Sequence, residues 1–213
     1  MKYKAILFDC DGTLLNTITD LTNAVNFSLQ SVGLPKQTEE DTLKMVGKGI
    51  KVLVEKALGE ENNSLFPKAF SAFSSYYNEH YCDYTAPYAG ISETLKTLKD
   101  NGYKLFVISN KKSVFLKKLY HLYFADTIVF ALGETEGLRP KPEPDMVEYV
   151  LNTYALRKEE VVYVGDSRVD IETATRAGID GIFVTWGFDD KDTLLKNGAK
   201  ILIDAPRQLV GFV

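Results

Sequence analysis

Six short apolar runs rich in β-branched and aromatic residues, at 3–8, 103–108, 127–132, 161–164, 181–186 and 200–203, dominate the pattern of this chain. From the second run onward they are separated by segments of helical periodicity. Strands that read as continuous apolar runs and alternate with helices form a parallel sheet covered on both faces. The predicted fold class is therefore α/β, with a Rossmann-like parallel-sheet core.

The alternation stops between Asn16 and Tyr84, where successive helices are expected instead. Ile18, Leu21, Val25, Leu29 and Val32 share one helical face before Gly33, and Thr38-x-x-Asp41 has the form of a capping box. Ile50, Leu53, Val54 and Leu58 predict a third helix ending at Gly59. Phe66, Phe70, Phe73, Tyr77 and Tyr81 predict a fourth, whose aromatic stripe is read as packing rather than as a ligand pocket. Pro87 marks the return to the sheet. The expected domains are an α/β core, residues 1–15 and 86–213, and an inserted small α-helical domain, residues 16–85.

A chain of 213 residues can bury such a core, and its 45% apolar and 25% charged content excludes a disordered polymer. No stretch reaches the roughly 20 apolar residues of a membrane span. The N-terminal residues enter a strand without the apolar region of a secretory signal, so a cytoplasmic location is expected. Cys10 and Cys82 are expected as free thiols. A net charge of −4, from 25 basic and 29 acidic residues, argues against nucleic acid as a partner and favours a small molecule.

Four polar signals follow four of the predicted strands, where open α/β sheets bind ligands. In Phe8-Asp9-Cys10-Asp11-Gly12-Thr13-Leu14, two carboxylates leave an apolar strand. Desolvated carboxylates are costly unless paired or bound to metal, and Mg²⁺ prefers such oxygen ligands. Gly12 would let the backbone approach an anion with free amides. Ser109-Asn110 ends the second run and is expected at a helix N-terminus, either as a phosphate site or as an ordinary cap. Lys141 lies among three alternating prolines in Arg139-Pro140-Lys141-Pro142-Glu143-Pro144-Asp145, a stiff path that could aim its ammonium at phosphate or display it on a surface loop. Asp166 and Asp170 follow the run 161–164 one helical turn apart, as metal ligands or as helix-capping acids. Lys111, Lys112, Lys117 and Lys118 are read as a solvated helix face, with help in anion approach as the alternative.

In this order, Asp9 with Asp11, Ser109, Lys141, and Asp166 with Asp170, the chain resembles the haloacid dehalogenase superfamily, in its phosphatase branch with a helical cap after the first motif. The resemblance implies a Mg²⁺-dependent phosphatase acting on a small phosphorylated metabolite. It implies that Asp9 is the nucleophile of an aspartyl-phosphate intermediate and Asp11 the acid–base. Lys141 would be catalytic and would bind phosphate with Gly12, Ser109 and Asn110. Asp9, Asp11, Asp166 and Asp170 would hold the metal, Asp11 through its carbonyl and Asp170 directly or from behind. Asp11 separates this reading from the dehalogenases, whose departing halide needs no proton. Val46-Gly47-Lys48-Gly49-Ile50 is similar to the cap segment of phosphoglycolate phosphatases. Phosphosugar mutases, pyrophosphatases and nucleotidases of the same superfamily remain alternatives at this stage.

Overall fold

The computed structural model describes residues 2–213 and divides into two compact units, Met1–Leu15 with Pro87–Val213, and Asn16–Ala86. In the first unit six strands form one parallel sheet: β1 (Ala5–Phe8), β4 (Lys104–Lys112), β5 (Phe130–Glu134), β6 (Val161–Gly165), β7 (Asp180–Val184) and β8 (Leu202–Ile203). Two further strands of two residues each, β2 (Leu15–Asn16) and β3 (Ala86–Pro87), pair where the chain leaves and rejoins this unit.

The sheet order is β5-β4-β1-β6-β7-β8, so β1 is central and the order reverses beside it. Ile6 pairs with Leu105 on one side and Val162 on the other, and every residue of β1 is buried. Ala5 and Leu7 face a core with Phe106, Ile108, Val161 and Tyr163. That face is covered by α7 (Asp145–Thr153), α8 (Arg168–Ala177) and α9 (Lys191–Lys196), through Met146, Val150, Ala174 and Leu194 among others. Phe8, Val164 and Ile203 instead share a small cavity with Ile91 and Leu95 of α5 (Ile91–Asp100) and Leu209 of α10 (Leu209–Phe212). Burial on both faces is why these strands lack an apolar–polar alternation.

The six predicted runs all become strands, with shifted ends. The largest shift is in β4, which extends to Lys112 rather than ending at Ile108. Its register against β5 slips between Ile108 and Lys112, and pairing resumes at Lys112 with Glu134. The next helix, α6 (Ser113–Tyr123), therefore starts four residues after Ser109. The expectation that Ser109 and Asn110 begin a helix is corrected by this continued ladder.

The second unit holds α1 (Ile18–Ser31), α2 (Glu39–Leu43), α3 (Gly49–Leu58) and α4 (Phe66–His80). Thr38 and Asp41 form the expected capping box on α2. Phe73 and Tyr77 of the aromatic stripe are fully buried, with ring centroids 5.4 Å apart, as packing requires. Buried Asp20 accepts hydrogen bonds from the Tyr84 and Thr85 amides and the Thr85 hydroxyl, tying the end of this unit to its first helix. Among the described residues, no helix is long and apolar enough to cross a membrane.

Candidate active site

Asp9 and Asp166 directly follow β1 and β6, and Ser109 lies in the carboxyl-terminal half of β4, on the other side of β1. This is the position beside the reversal of strand order where open α/β sheets present ligand sites. One carboxylate oxygen from each of Asp9, Asp166 and Asp170 lies within 4.8 Å of the others, and all three residues are buried. Residues separated by more than 150 positions are thus brought together by the sheet.

Lys141 reaches the cluster from the proline-rich loop, whose Lys141–Pro142 bond is cis. Its ammonium lies 2.8 Å from Asp9 Oδ1, 2.8 Å from Asp170 Oδ1 and 3.1 Å from the Tyr163 hydroxyl. These contacts match the three N–H donors of an ammonium and fix its position. The alternative of a lysine on a solvated surface loop does not hold, because the residue is only 3% exposed. Asn110 explains how the loop is held. Its carboxamide oxygen accepts from the Lys141 amide at 2.8 Å, while its nitrogen donates to the Lys141 carbonyl at 2.9 Å. The side chain expected at phosphate is therefore engaged with the main chain of Lys141.

Asp170 is the most heavily bonded member of the cluster. Its Oδ1 accepts from Lys141 and Tyr163, and its Oδ2 from the Asp166 amide and from the amide and hydroxyl of Ser167. Five donors fill the roughly four lone-pair directions of a carboxylate. Asp170 is also the third residue of the Ser167 capping box that opens α8. The capping role weighed in the sequence is thus real, and it engages Oδ2.

Asp166 is bonded more sparsely. Oδ1 accepts from the Thr13 hydroxyl at 2.7 Å and Oδ2 from the Phe188 amide at 2.8 Å. Trp186 donates to the Thr13 carbonyl at 3.1 Å, so the chain after β7 braces the loop after β1. Gly12 has φ +86°, and a Cβ there would lie 2.2 Å from Asp166 Oδ2; one on Gly187 would meet Asp166 Cβ at 2.2 Å. Only glycine fits at either position without moving Asp166. The expectation that the Gly12 amide is free for an anion is corrected, since it donates to the Leu15 carbonyl at 2.9 Å. Gly12 serves the site by close approach.

Ser109, Asn110 and Lys111 are consecutive and all buried, which a regular strand with alternating faces does not provide for a one-sided polar site. The irregularity in β4 re-aims them, as bulges beside active sites do. Ser109 Oγ accepts from the Lys111 amide at 3.2 Å. Lys111, read in the sequence as part of a solvated helix, is 6% exposed in β4 and its ammonium lies 2.9 Å from Asp11 Oδ1. That reading failed because the strand continues past Ser109. The Asp11 carboxylate faces Lys111 and is not in the three-carboxylate group. Tyr163, Thr13 and Phe188 also escaped sequence reasoning; Thr13 follows the Asp-x-Asp-Gly motif directly, while the other two look like ordinary apolar residues.

Electrostatics reflect this crowding. Burial pushes the Asp9 carboxyl up to about 7, with Lys141 pulling it down and Asp170 pushing it further up. Burial, then the charges of Asp170 and Asp9, hold Asp166 well above the carboxylate range. Burial works against the charge of Lys141, but Asp170 and Asp9 outweigh it and the ammonium is stabilised. With all three carboxylates ionised, this one ammonium would leave two negative charges, which one divalent cation would balance. The all-oxygen donor set suits a hard ion, and this buried group could hold one.

Comparison with known proteins agrees with this construction. The family model for haloacid dehalogenase-like hydrolases matches residues 6–184. A phosphoglycolate phosphatase of Haemophilus influenzae is 30% identical over 98% of this chain and 97% of its own length. A phosphoglycolate phosphatase of Aquifex aeolicus is 35% identical over 87% of this chain and 86% of its own. A solved structure from Lactobacillus delbrueckii subsp. bulgaricus, described as a phosphoglycolate phosphatase candidate, superimposes with a TM-score of 0.91 at 34% identity, covering 98% of this chain and 97% of that one. The chain belongs to the haloacid dehalogenase-like hydrolase family.

Proposed function

We propose that this chain is a Mg²⁺-dependent phosphatase that hydrolyses 2-phosphoglycolate through an aspartyl-phosphate on Asp9. The observation that carries the reading is the Asp9 carboxylate, buried at the end of the central strand with Lys141 2.8 Å from its Oδ1. The Cys10 amide donates to the same oxygen at 2.7 Å. Oδ2 receives no hydrogen bond from the described residues and is the atom we assign to attack on phosphorus. As the Asp9–phosphorus bond forms, the bond to the alcohol oxygen breaks, and Asp11 gives that oxygen a proton. Asp11 then takes a proton from the water that cleaves the acyl phosphate. Dividing the displacement in two is the gain of covalent catalysis.

The phosphoryl oxygens are assigned to the Ser109 hydroxyl and to the charge of the Lys141 ammonium, with Asn110 acting by holding Lys141. Charge stabilisation in such a buried site is the main lever on phosphoryl transfer. Mg²⁺ would be held by Asp9, Asp166 and the Asp11 carbonyl, and when bound it supplies positive charge beside the transferring group. Asp170, saturated with donors, is assigned to anchor Lys141 and the 166–167 turn from behind.

The curated relatives named phosphoglycolate phosphatase support the choice of substrate. The inserted helical unit is assigned as the cap expected at residues 16–85. The protein is assigned to the cytoplasm, where cysteines stay reduced. A panel of 2-phosphoglycolate, sugar phosphates, nucleotides and pyrophosphate, assayed for phosphate release with and without Mg²⁺, tests the reading. It predicts Mg²⁺-dependent release with the highest kcat/KM on 2-phosphoglycolate; preference for another ester would overturn the substrate, and no release from any would overturn the reaction.

A further inference from the structure

The mechanism above leaves one buried cation without a task. Lys111 has a side chain only 3% exposed, and its ammonium lies 2.9 Å from Asp11 Oδ1. Burying an ammonium costs several kcal/mol before compensation, so a lysine with no role would be expected to extend into solvent. Here the backbone prevents that. The bulged end of β4 turns Lys111 inward, and Gly133 on β5 approaches so closely that a Cβ would meet the Lys111 carbonyl at 2.6 Å.

The two buried ammoniums of this unit have different neighbours. Lys141 bonds Asp9, Asp170 and Tyr163, the side of the nucleophile. Lys111 bonds Asp11, the carboxyl assigned to the departing oxygen. Whatever is attached to that oxygen must pass close to Asp11 and to the Lys111 ammonium beside it. The Lys111 ammonium offers an anionic leaving group an attractive charge at that point.

We propose that Lys111 is a specificity-determining residue that selects phosphate esters whose alcohol fragment carries a carboxylate close to the ester oxygen. This rests on the reading of Asp11 as the proton donor to the leaving group. In 2-phosphoglycolate the carboxylate carbon is separated from the ester oxygen by a single methylene, which places the second anion beside the Asp11–Lys111 pair. Lys111 reads the leaving group while Lys141 serves the phosphoryl group.

The test compares 2-phosphoglycolate with 2-hydroxyethyl phosphate, in which a neutral CH₂OH replaces the carboxylate. Wild type, Lys111→Met and Lys111→Arg are assayed with Mg²⁺. Wild type is expected to favour the acid in kcat/KM by at least about tenfold. Lys111→Met should remove that preference, mainly through a higher KM for the acid, and Lys111→Arg should retain most of it. Equal losses on both substrates in Lys111→Met would show that Lys111 only neutralises the acidic cluster and would overturn the proposal. So would a wild type that hydrolyses both esters equally well, a result independent of whether the variants fold. Wild type that releases phosphate from neither would contradict the phosphatase reading instead.

Discussion

Lys141 Nζ and Asp9 Oδ1 are 2.8 Å apart in a pocket where both residues are more than nine-tenths buried. The same ammonium bonds Asp170, so two carboxylates depend on it for charge balance. Removing one partner of a buried ion pair leaves the other charge uncompensated, which costs about 3–5 kcal/mol. Lys141→Ala is therefore expected to lower unfolding stability by about that amount and kcat by at least about a hundredfold. Urea denaturation and phosphate-release assays measure the two effects. Lys141→Arg is not expected to restore activity, because a planar fork cannot reproduce three contacts made by a compact ammonium.

Tyr163 completes the setting of Lys141. Its hydroxyl accepts from Lys141 at 3.1 Å and donates to Asp170 Oδ1 at 2.8 Å, and the residue is fully buried. Tyr163→Phe keeps the ring and deletes both bonds. A loss of about 1–3 kcal/mol in stability is expected, the cost of leaving buried polar groups unsatisfied. Its effect on kcat should be smaller than that of Lys141→Ala. Unchanged stability would show that the hydroxyl contributes nothing to the network.

Gly12 is constrained twice, by φ +86° and by Asp166 Oδ2 only 2.2 Å from where a Cβ would stand. Gly12→Ala should displace the Asp166 carboxylate and cost about 1 kcal/mol or more in stability. Because Asp166 is assigned to Mg²⁺, the Mg²⁺ concentration giving half-maximal activity should rise. Titrating activity against Mg²⁺ in the variant and wild type checks this.

The raised pKa values fix a pH dependence for protein held in chelator. Burial pushes the folded-state Asp9 carboxyl up to about 7 from the ordinary value of 3.8, and Asp166 is raised as well. Between those values the folded state binds more protons than the unfolded state, so stability falls as pH rises. Metal-free Tm should therefore drop from pH 5 towards pH 7.5. Added Mg²⁺ should raise Tm more at the upper end of the range, where the carboxylates are ionised. A metal-induced rise in Tm that is larger at pH 5 would contradict the assignment of Asp9 and Asp166 as ligands.

The sheet was legible because its strands are buried on both faces and therefore stand out as apolar runs, from Ala5–Phe8 to Leu202–Ile203. The acidic residues were legible because charge at the end of an apolar strand is costly without a purpose. What stayed hidden depends on pairing between distant segments. The extension of β4 is decided by Lys112 meeting Glu134, and without it Lys111 looks like part of the following helix. Asn110 reads as a cap until the Lys141 main chain is placed against its carboxamide. Asp170 carried both of its possible readings in the sequence, and only the donors around it show that the cap engages Oδ2 while Lys141 and Tyr163 hold Oδ1.

The central claim is that the Asp9 carboxylate attacks phosphorus, and Asp9→Asn tests it most directly. The substitution keeps size and shape but removes the nucleophilic oxygen. Phosphate release from 2-phosphoglycolate with Mg²⁺, measured beside far-UV circular dichroism, is predicted to fall by at least about a thousandfold while the folded spectrum is retained. A folded Asp9→Asn protein that turns over at the wild-type rate would contradict the account.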